Sequence, residues 1–126
     1  MASTVIANEY RARLADFHGG GSPLSPFGFM AFGDGGHNPD GTPKLADPDA
    51  SGLQNELIRK PLNSITRTGP YTLECEGRLE PGELIGKHVS EAALLDAAGQ
   101  VVAFKKFAPK VRDSDELYQV FIEPLF

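Results

Sequence analysis

His88 and the polar residues that follow it are the side chains of this 126-residue chain best spaced for acid–base or nucleophilic chemistry. Ser90, Glu91 and Asp96 lie in the same run. A histidine that takes the proton of a serine hydroxyl activates the nucleophile of many hydrolases. The run has no nucleophile-elbow motif, so a small hydrolase using His88 with Ser90 or Asp96 is a minor hypothesis. On a strand, His88 and Ser90 share a face and Glu91 points away, which predicts polar side chains facing solvent or a partner.

The segment 33–47 could supply oxygen ligands to calcium. Positions three, five, six and twelve of an EF-hand-like loop would be Asn38, Asp40, Gly41 and Asp47. Its first position, Gly36, has no ligand oxygen, and a turn that caps its own backbone explains the same composition. A small ligand- or calcium-binding module using the 33–47 loop therefore remains an alternative function.

Other site chemistries are less well supported by the spacing. The run GDGGHNPDG lacks the lysine and the following helix of a phosphate-binding loop. The other histidines, His18 and His37, have no second histidine at helical spacing, although one histidine per chain could form a three-histidine site on a trimer axis. We predict no catalytic residue, no cofactor and no metal ligand, and hence no enzyme.

Two pairs of carboxylates and a single thiol complete the candidates. Glu74/Glu76 and Glu80/Glu83 are typical of a solvated sheet edge and a turn rather than of a general acid and base. The lone cysteine, Cys75, excludes an internal disulfide and alternates with Leu73 in YTLECEG, which predicts a small buried side chain.

Composition excludes several classes of partner. The formal charge is −5, and no dense cluster of lysine and arginine is present, so we predict no nucleic-acid partner. No apolar run approaches the roughly 18–20 residues of a membrane span, and the start does not resemble a signal peptide. We therefore expect the chain to be made and folded in a reducing cytoplasm.

Two helices are predicted in the first half of the chain. A stripe of apolar residues spaced by three and four predicts an N-terminal helix over about 4–18, capped by Ser3 or Thr4 and ended by HGGG. A Gly/Pro-rich loop follows at 33–52, after a short strand near Phe27–Phe32. A second helix is predicted over about 52–61, from a Ser51/Gln54 capping box and a Glu56–Lys60 pair.

The rest of the chain, 63–126, is typical of antiparallel strands. The turn signals lie at 68–70 and 96–99, and ELYQVFIEPLF closes the chain as a last strand with an exposed apolar end. The predicted fold class is a single α+β domain, 1–126, with two short helices packed on an antiparallel β-sheet or small β-sandwich.

Three motifs in fixed order resemble a known family. The first motif, MAFGDGGH, contains Gly33–Gly36. The second lies in SGLQNELIRKPLNSI and has Glu56, Arg59, Leu62 and Asn63. The third lies in GKHVSEAALLDAAGQVVAF and has Glu91, Leu94, Leu95, Asp96 and Gly99. This order is similar to phage tail-collar fibre proteins, the N-terminal attachment domain of P2-like tail fibres. Two positions depart from the family pattern: Ala92-Ala93 stands where the family tends to have a bulky residue followed by Gly, and Leu95 replaces an aromatic residue.

The resemblance implies a virion component of a phage, prophage or related particle. Such a domain joins a tail fibre to the baseplate or collar, forms a homotrimer, binds baseplate or other tail proteins, and is assembled in the bacterial host cytoplasm. It leaves open whether the chain is the attachment domain alone, an accessory subunit or part of a longer fibre. We also expect Glu91 and Arg59 to form a pair that docks the second helix on the sheet.

Overall fold

A computed structural model describes residues 4–113 and 115–126 of the chain. In the described part, one helix and eight strands follow the order β1, α1, β2–β8. The bounds are β1 Val5–Ile6, α1 Asn8–His18, β2 Phe27–Gly33, β3 Glu56–Pro61, β4 Ser64–Gly69, β5 Thr72–Leu79, β6 His88–Asp96, β7 Val101–Val111 and β8 Tyr118–Ile122.

The strands form two antiparallel sheets that share one core. The larger sheet has the order β1-β7-β6-β2-β3, and the smaller has the order β4-β5-β8. Met30 of β2 lies against Gly77 of β5, and the Phe107 and Tyr118 rings meet edge to face, so side chains from both sheets fill the space between them. Strand β6 is buried along nearly its whole length, because strands flank it on both sides and its two faces are covered.

The predicted helix over 52–61 is wrong, and so is the α+β fold class with two helices. Residues Glu56–Pro61 form β3 at the edge of the larger sheet, paired with β2 from Phe29↔Pro61 to Gly33↔Glu56. A ten-residue window with two leucines four apart is ambiguous between helix and strand. The backbone donors and acceptors along β2 require a partner, and this long-range pairing outweighs a weak local helix preference.

The N-terminal helix is shorter than predicted. Val5 and Ile6 pair with β7 as a strand, and the helix begins at Asn8 after the N-cap residue Ala7. Thr4 is therefore not the cap, and Ser3 lies outside the described residues. The Ala7 amide donates to Val102 at 2.9 Å, which holds the start of the helix against β7. In the described part of the chain, no helix is both long enough and apolar enough to cross a membrane.

Several local predictions are confirmed. β2 lies where the short strand was expected, and β4 and β5 form a hairpin around 69–71. The turn after β6 is held by Asp96, whose carboxylate accepts from the amides of Ala98 at 3.0 Å and Gln100 at 2.9 Å. Gly99 adopts φ 84°, which a side chain would disfavour. The closing run forms β8, in which Val120 and Ile122 are buried, and Leu125 and Phe126 at its end are exposed.

Candidate functional site

The buried carboxylate of Glu91 is the centre of a polar site that joins β6 to two loop segments. Its Oε2 accepts the amides of Gly35 and Asn55, each at 2.9 Å, and its Oε1 accepts the amide of Gln54 at 3.0 Å. The residue is 0% exposed. Three charge-assisted bonds to backbone amides replace the water that the carboxylate loses on burial. One side chain of β6 therefore ties down both the segment after β2 and the segment before β3.

Residues 33–36, three glycines and Asp34, form a segment that we call the glycine loop. The loop lies directly on β6, which leaves little room for side chains at its glycines. A Cβ atom on Gly36 would overlap the carbonyl oxygen of Ser90, and one on Gly33 would overlap that of Asn55. A Cβ on Gly35 would lie 2.6 Å from the Cβ of Gln54. None of these three glycines has a positive φ. Close approach of backbone, and not turn conformation, therefore requires glycine here.

We expect Gly36→Ala to destabilise the protein by about 1–3 kcal/mol, because the added methyl group must push the loop away from the backbone of β6. Urea unfolding followed by circular dichroism measures the change. Gly52→Ala is the matched control, since nothing lies within 4 Å of its Cβ and its φ is not positive. Equal stability of the two variants would show that the loop is not packed as described.

Ser90, which lies beside Glu91, is buried and hydrogen-bonded to the same loop. Its hydroxyl accepts the amide of Gly36 at 2.9 Å and forms a 2.7 Å hydrogen bond with Nδ1 of His37. The prediction that Ser90 and Glu91 face solvent or a partner is wrong, because both are 0% exposed. The pairing of β6 with β7 shifts register between Val89 and Glu91, and the loop covers the outer face there. Only His88, at the first position of β6, is exposed.

The structure brings His37 and His88 together, with ring centroids 6.4 Å apart. The serine–histidine pair that forms is thus Ser90 with His37, and not Ser90 with His88. Because the Ser90 hydroxyl is buried and already bonded to two groups, it has no open face for attack on a substrate. Asp96 is occupied by the turn described above and lies 3.8 Å from the Arg13 guanidinium.

The side chains proposed as calcium ligands are hydrogen-bonded within their own turns. The Asp40 carboxylate accepts from the amide and hydroxyl of Thr42, and these bonds lower the pKa of Asp40. The Asp47 carboxylate accepts the amide of Asp49, within its own turn. Asn38 donates to the Thr42 hydroxyl at 3.1 Å. Among residues 4–113 and 115–126, no group of three or more histidine, cysteine, aspartate and glutamate side chains is placed to hold a metal ion.

The expected pair between Glu91 and Arg59 does not form. Arg59 binds Glu56 on the exposed side of β3, with Nη2 and Oε1 3.1 Å apart, and its other guanidinium nitrogen reaches the carbonyl of Gly99. Lys60, which was expected to pair with Glu56, instead forms a salt bridge with Glu83. The Glu56–Lys60 pair is absent because two residues four apart on a strand are too distant for the salt bridge that they would form on a helix.

The Glu80/Glu83 pair lies in a turn, as predicted, whereas the Glu74/Glu76 pair does not form a solvated edge. Glu76 is buried, and hydrogen bonds from Arg78, Gln119 and Ser64 lower its pKa. Cys75 is buried as predicted, and burial, with a smaller contribution from the Glu74 carboxylate, raises the pKa of its thiol to about 11. A thiol that is both buried and protonated is poorly reactive, so Cys75 packs as a small apolar residue.

A second polar site, centred on Arg112, was not found by the sequence analysis. Its guanidinium is fully buried and donates to the carbonyls of Leu79, Glu80, Glu83 and Glu116, at 2.8–3.4 Å. The same group lies 5.7 Å from the centre of the Tyr118 ring. In the sequence, Arg112 is one charged residue in a polar stretch, so no local pattern marks it as buried.

No protein-family model matches the chain, and a search of curated proteins finds no match.

Proposed function

We propose that this chain is a structural component of a phage tail or tail-like particle, which joins a tail fibre to the baseplate or collar. The proposal is based on the three motifs, in fixed order, that resemble tail-collar fibre proteins. One observation supports it above the others: the three motifs, although distant in sequence, lie side by side. β3 pairs with β2, β2 pairs with β6, and the glycine loop joins all three through Glu91.

The bonds at this junction favour a mechanical over a chemical role. Glu91 and Ser90, two polar side chains of the motifs, are buried, and their polar atoms are hydrogen-bonded to backbone amides and to His37. A loop held to a strand by a buried carboxylate keeps its shape when a partner pulls on or presses against it. We infer that the motifs shape a rigid surface for neighbouring tail proteins.

Exposed apolar side chains on the β4–β5 hairpin and at the chain end offer a surface for self-association. Tyr71 and Leu125 are 67% and 68% exposed, and Ile65 and Phe126 are about half exposed. The Phe126 amide donates to the Tyr71 carbonyl at 2.8 Å, and Leu125 bridges to Thr72, so the chain end lies along β5. The neighbouring strand β4 pairs on one side only. Apolar surface beside an open strand edge is typical of a contact between proteins. We propose that it lies in a homotrimer interface along the fibre axis.

We expect light scattering behind a sizing column to give the mass of three 13.5 kDa chains. Tyr71→Ser with Leu125→Ser removes two apolar contacts, so the trimer should dissociate to monomers at the same protein concentration. The control is Leu45→Ser, which changes an apolar residue that is 94% exposed but lies in the loop before β3. A wild-type protein that stays monomeric at high concentration would contradict the trimer.

The attachment role itself is tested on particles. Immunogold labelling of tail particles released from cells that produce this protein should place the label where the fibres meet the baseplate or collar, in the virion tail. Particles that carry no label, or label on the sheath or capsid only, would contradict the proposal.

Thermal unfolding with calcium and with chelator tests the alternative function, the calcium-binding module. Such a module would gain stability with the ion.

A further inference from the structure

Two imidazoles that are far apart in sequence meet at the surface beside the glycine loop. His37 belongs to the loop and His88 begins β6, and their ring centroids are 6.4 Å apart with an interplanar angle of 37°. The sequence places 50 residues between them. Only the docking of the loop on β6 brings the two rings into one place.

The His37 ring is held in a fixed orientation. Its Nδ1 is bonded to the buried Ser90 hydroxyl at 2.7 Å, and that hydroxyl is itself fixed by the Gly36 amide. The backbone of His37 pairs with Pro43 across the loop. In metal sites, the N–H of one ring nitrogen donates a hydrogen bond that orients the ring, and the other nitrogen binds the metal. In the His37 tautomer whose Nδ1–H donates to the Ser90 hydroxyl, Nε2 is the nitrogen left for a ligand.

The His88 ring can complete a chelate with a small movement. With metal–nitrogen distances of about 2.1 Å, two imidazoles on one tetrahedral ion have centroids roughly 5.3 Å apart. The observed separation exceeds this by about 1 Å, which a rotation of the exposed His88 side chain can close, since its staggered rotamers interchange freely at a surface. His37 supplies the fixed ligand and His88 the movable one.

We infer that His37 and His88 form a two-imidazole site for a late first-row divalent metal ion, of which Zn²⁺ is the test case. Imidazole nitrogen suits zinc, copper and nickel, whereas calcium and magnesium require several oxygen ligands. Since no third histidine, cysteine, aspartate or glutamate joins the pair in the described chain, water completes the coordination. The site differs in ligands and in ion from a calcium loop, and it is independent of the proposed attachment function.

Zn²⁺ titration by calorimetry, with the wild-type chain and three variants, tests the site. We expect one ion per chain and an affinity that falls about 100-fold or more in His88→Ala. In the wild type, an ion bound to His37 meets the second imidazole at a high effective concentration, and the variant loses this gain. His88 is exposed, so this variant should fold normally. His37→Ala should lose binding to the same degree. His18→Ala is the matched control, since it removes an exposed histidine at the end of α1.

Nitrogen-15 spectra of the histidine rings give a second readout that needs no variant. Zn²⁺ should shift the ring resonances of His37 and His88 and leave those of His18 unchanged. No heat and no shift at millimolar Zn²⁺ would overturn the inference. Binding that survives in His88→Ala, or that is lost in His18→Ala, would overturn it as well.

Discussion

Glu91→Gln is expected to destabilise the protein by about 2–4 kcal/mol, because an amide cannot replace a carboxylate that accepts three backbone amides. The glutamine oxygen can serve either the Gly35 and Asn55 side or the Gln54 side, and its NH₂ group then faces an amide donor. Each unsatisfied buried donor costs about 1–3 kcal/mol, and entry of water into the loosened loop reduces the total. This is a large part of the total stability of a small domain, about 5–15 kcal/mol.

Urea unfolding of Glu91→Gln measures the loss, and amide hydrogen exchange locates it. The amides of Gly35, Gln54 and Asn55 should exchange faster in the variant, while those in β4 and β5 should change little until global unfolding takes over. Glu56→Gln is the matched control, since this glutamate is on the exposed side of β3 and its pair with Arg59 should contribute less than about 1 kcal/mol. A change below 0.5 kcal/mol in Glu91→Gln, with unaltered exchange, would refute the assigned role.

Arg112→Met is expected to cost about 3–5 kcal/mol, since four carbonyls lose the buried guanidinium that they share as a donor. The guanidinium joins the end of β5 and the turn after it to the segment before β8. Arg112→Lys should recover only part of the loss. A lysine ammonium is a compact group with three donors, and it cannot reproduce the planar fork that reaches carbonyls on two sides.

Thermal unfolding of the two Arg112 variants gives the comparison. A loss of 3 kcal/mol corresponds to a fall in Tm of roughly 10 °C for a chain of this size. The control is Arg78→Lys, because the Arg78 side chain is 38% exposed and pairs with one glutamate, so its charge alone should suffice. If Arg112→Lys is as stable as the wild type, the guanidinium bonds do not contribute as described.

The glycine loop and the Arg112 site are stabilised in the same way. In each, a fully buried charged side chain on a long strand, or just after it, binds several backbone groups of irregular segments. Irregular backbone carries unpaired donors and acceptors, and a single charged side chain can satisfy several of them at once. The long loops of this small protein are thereby held close to the sheets.

The features that the sequence determined by itself are those with short-range causes. Asp96 and Gly99 predict their turn because a carboxylate can cap the following amides and a glycine can adopt a positive φ. The hairpin of β4 and β5 and the burial of Cys75 follow from a turn signal and a two-residue alternation. In each case, the decisive atoms lie within a few residues of one another.

The features that only the tertiary structure decided depend on partners far along the chain. Residues 56–61 carry a weak helix pattern but become a strand, because β2 offers backbone pairing that a helix cannot. Ser90 and Glu91 have the composition of a solvated strand, yet they are buried because the glycine loop, more than fifty residues earlier, docks over them. The burial of Arg112 and the meeting of His37 with His88 have the same origin. Burial of a polar residue is set by which distant groups satisfy it, and local sequence does not encode that choice.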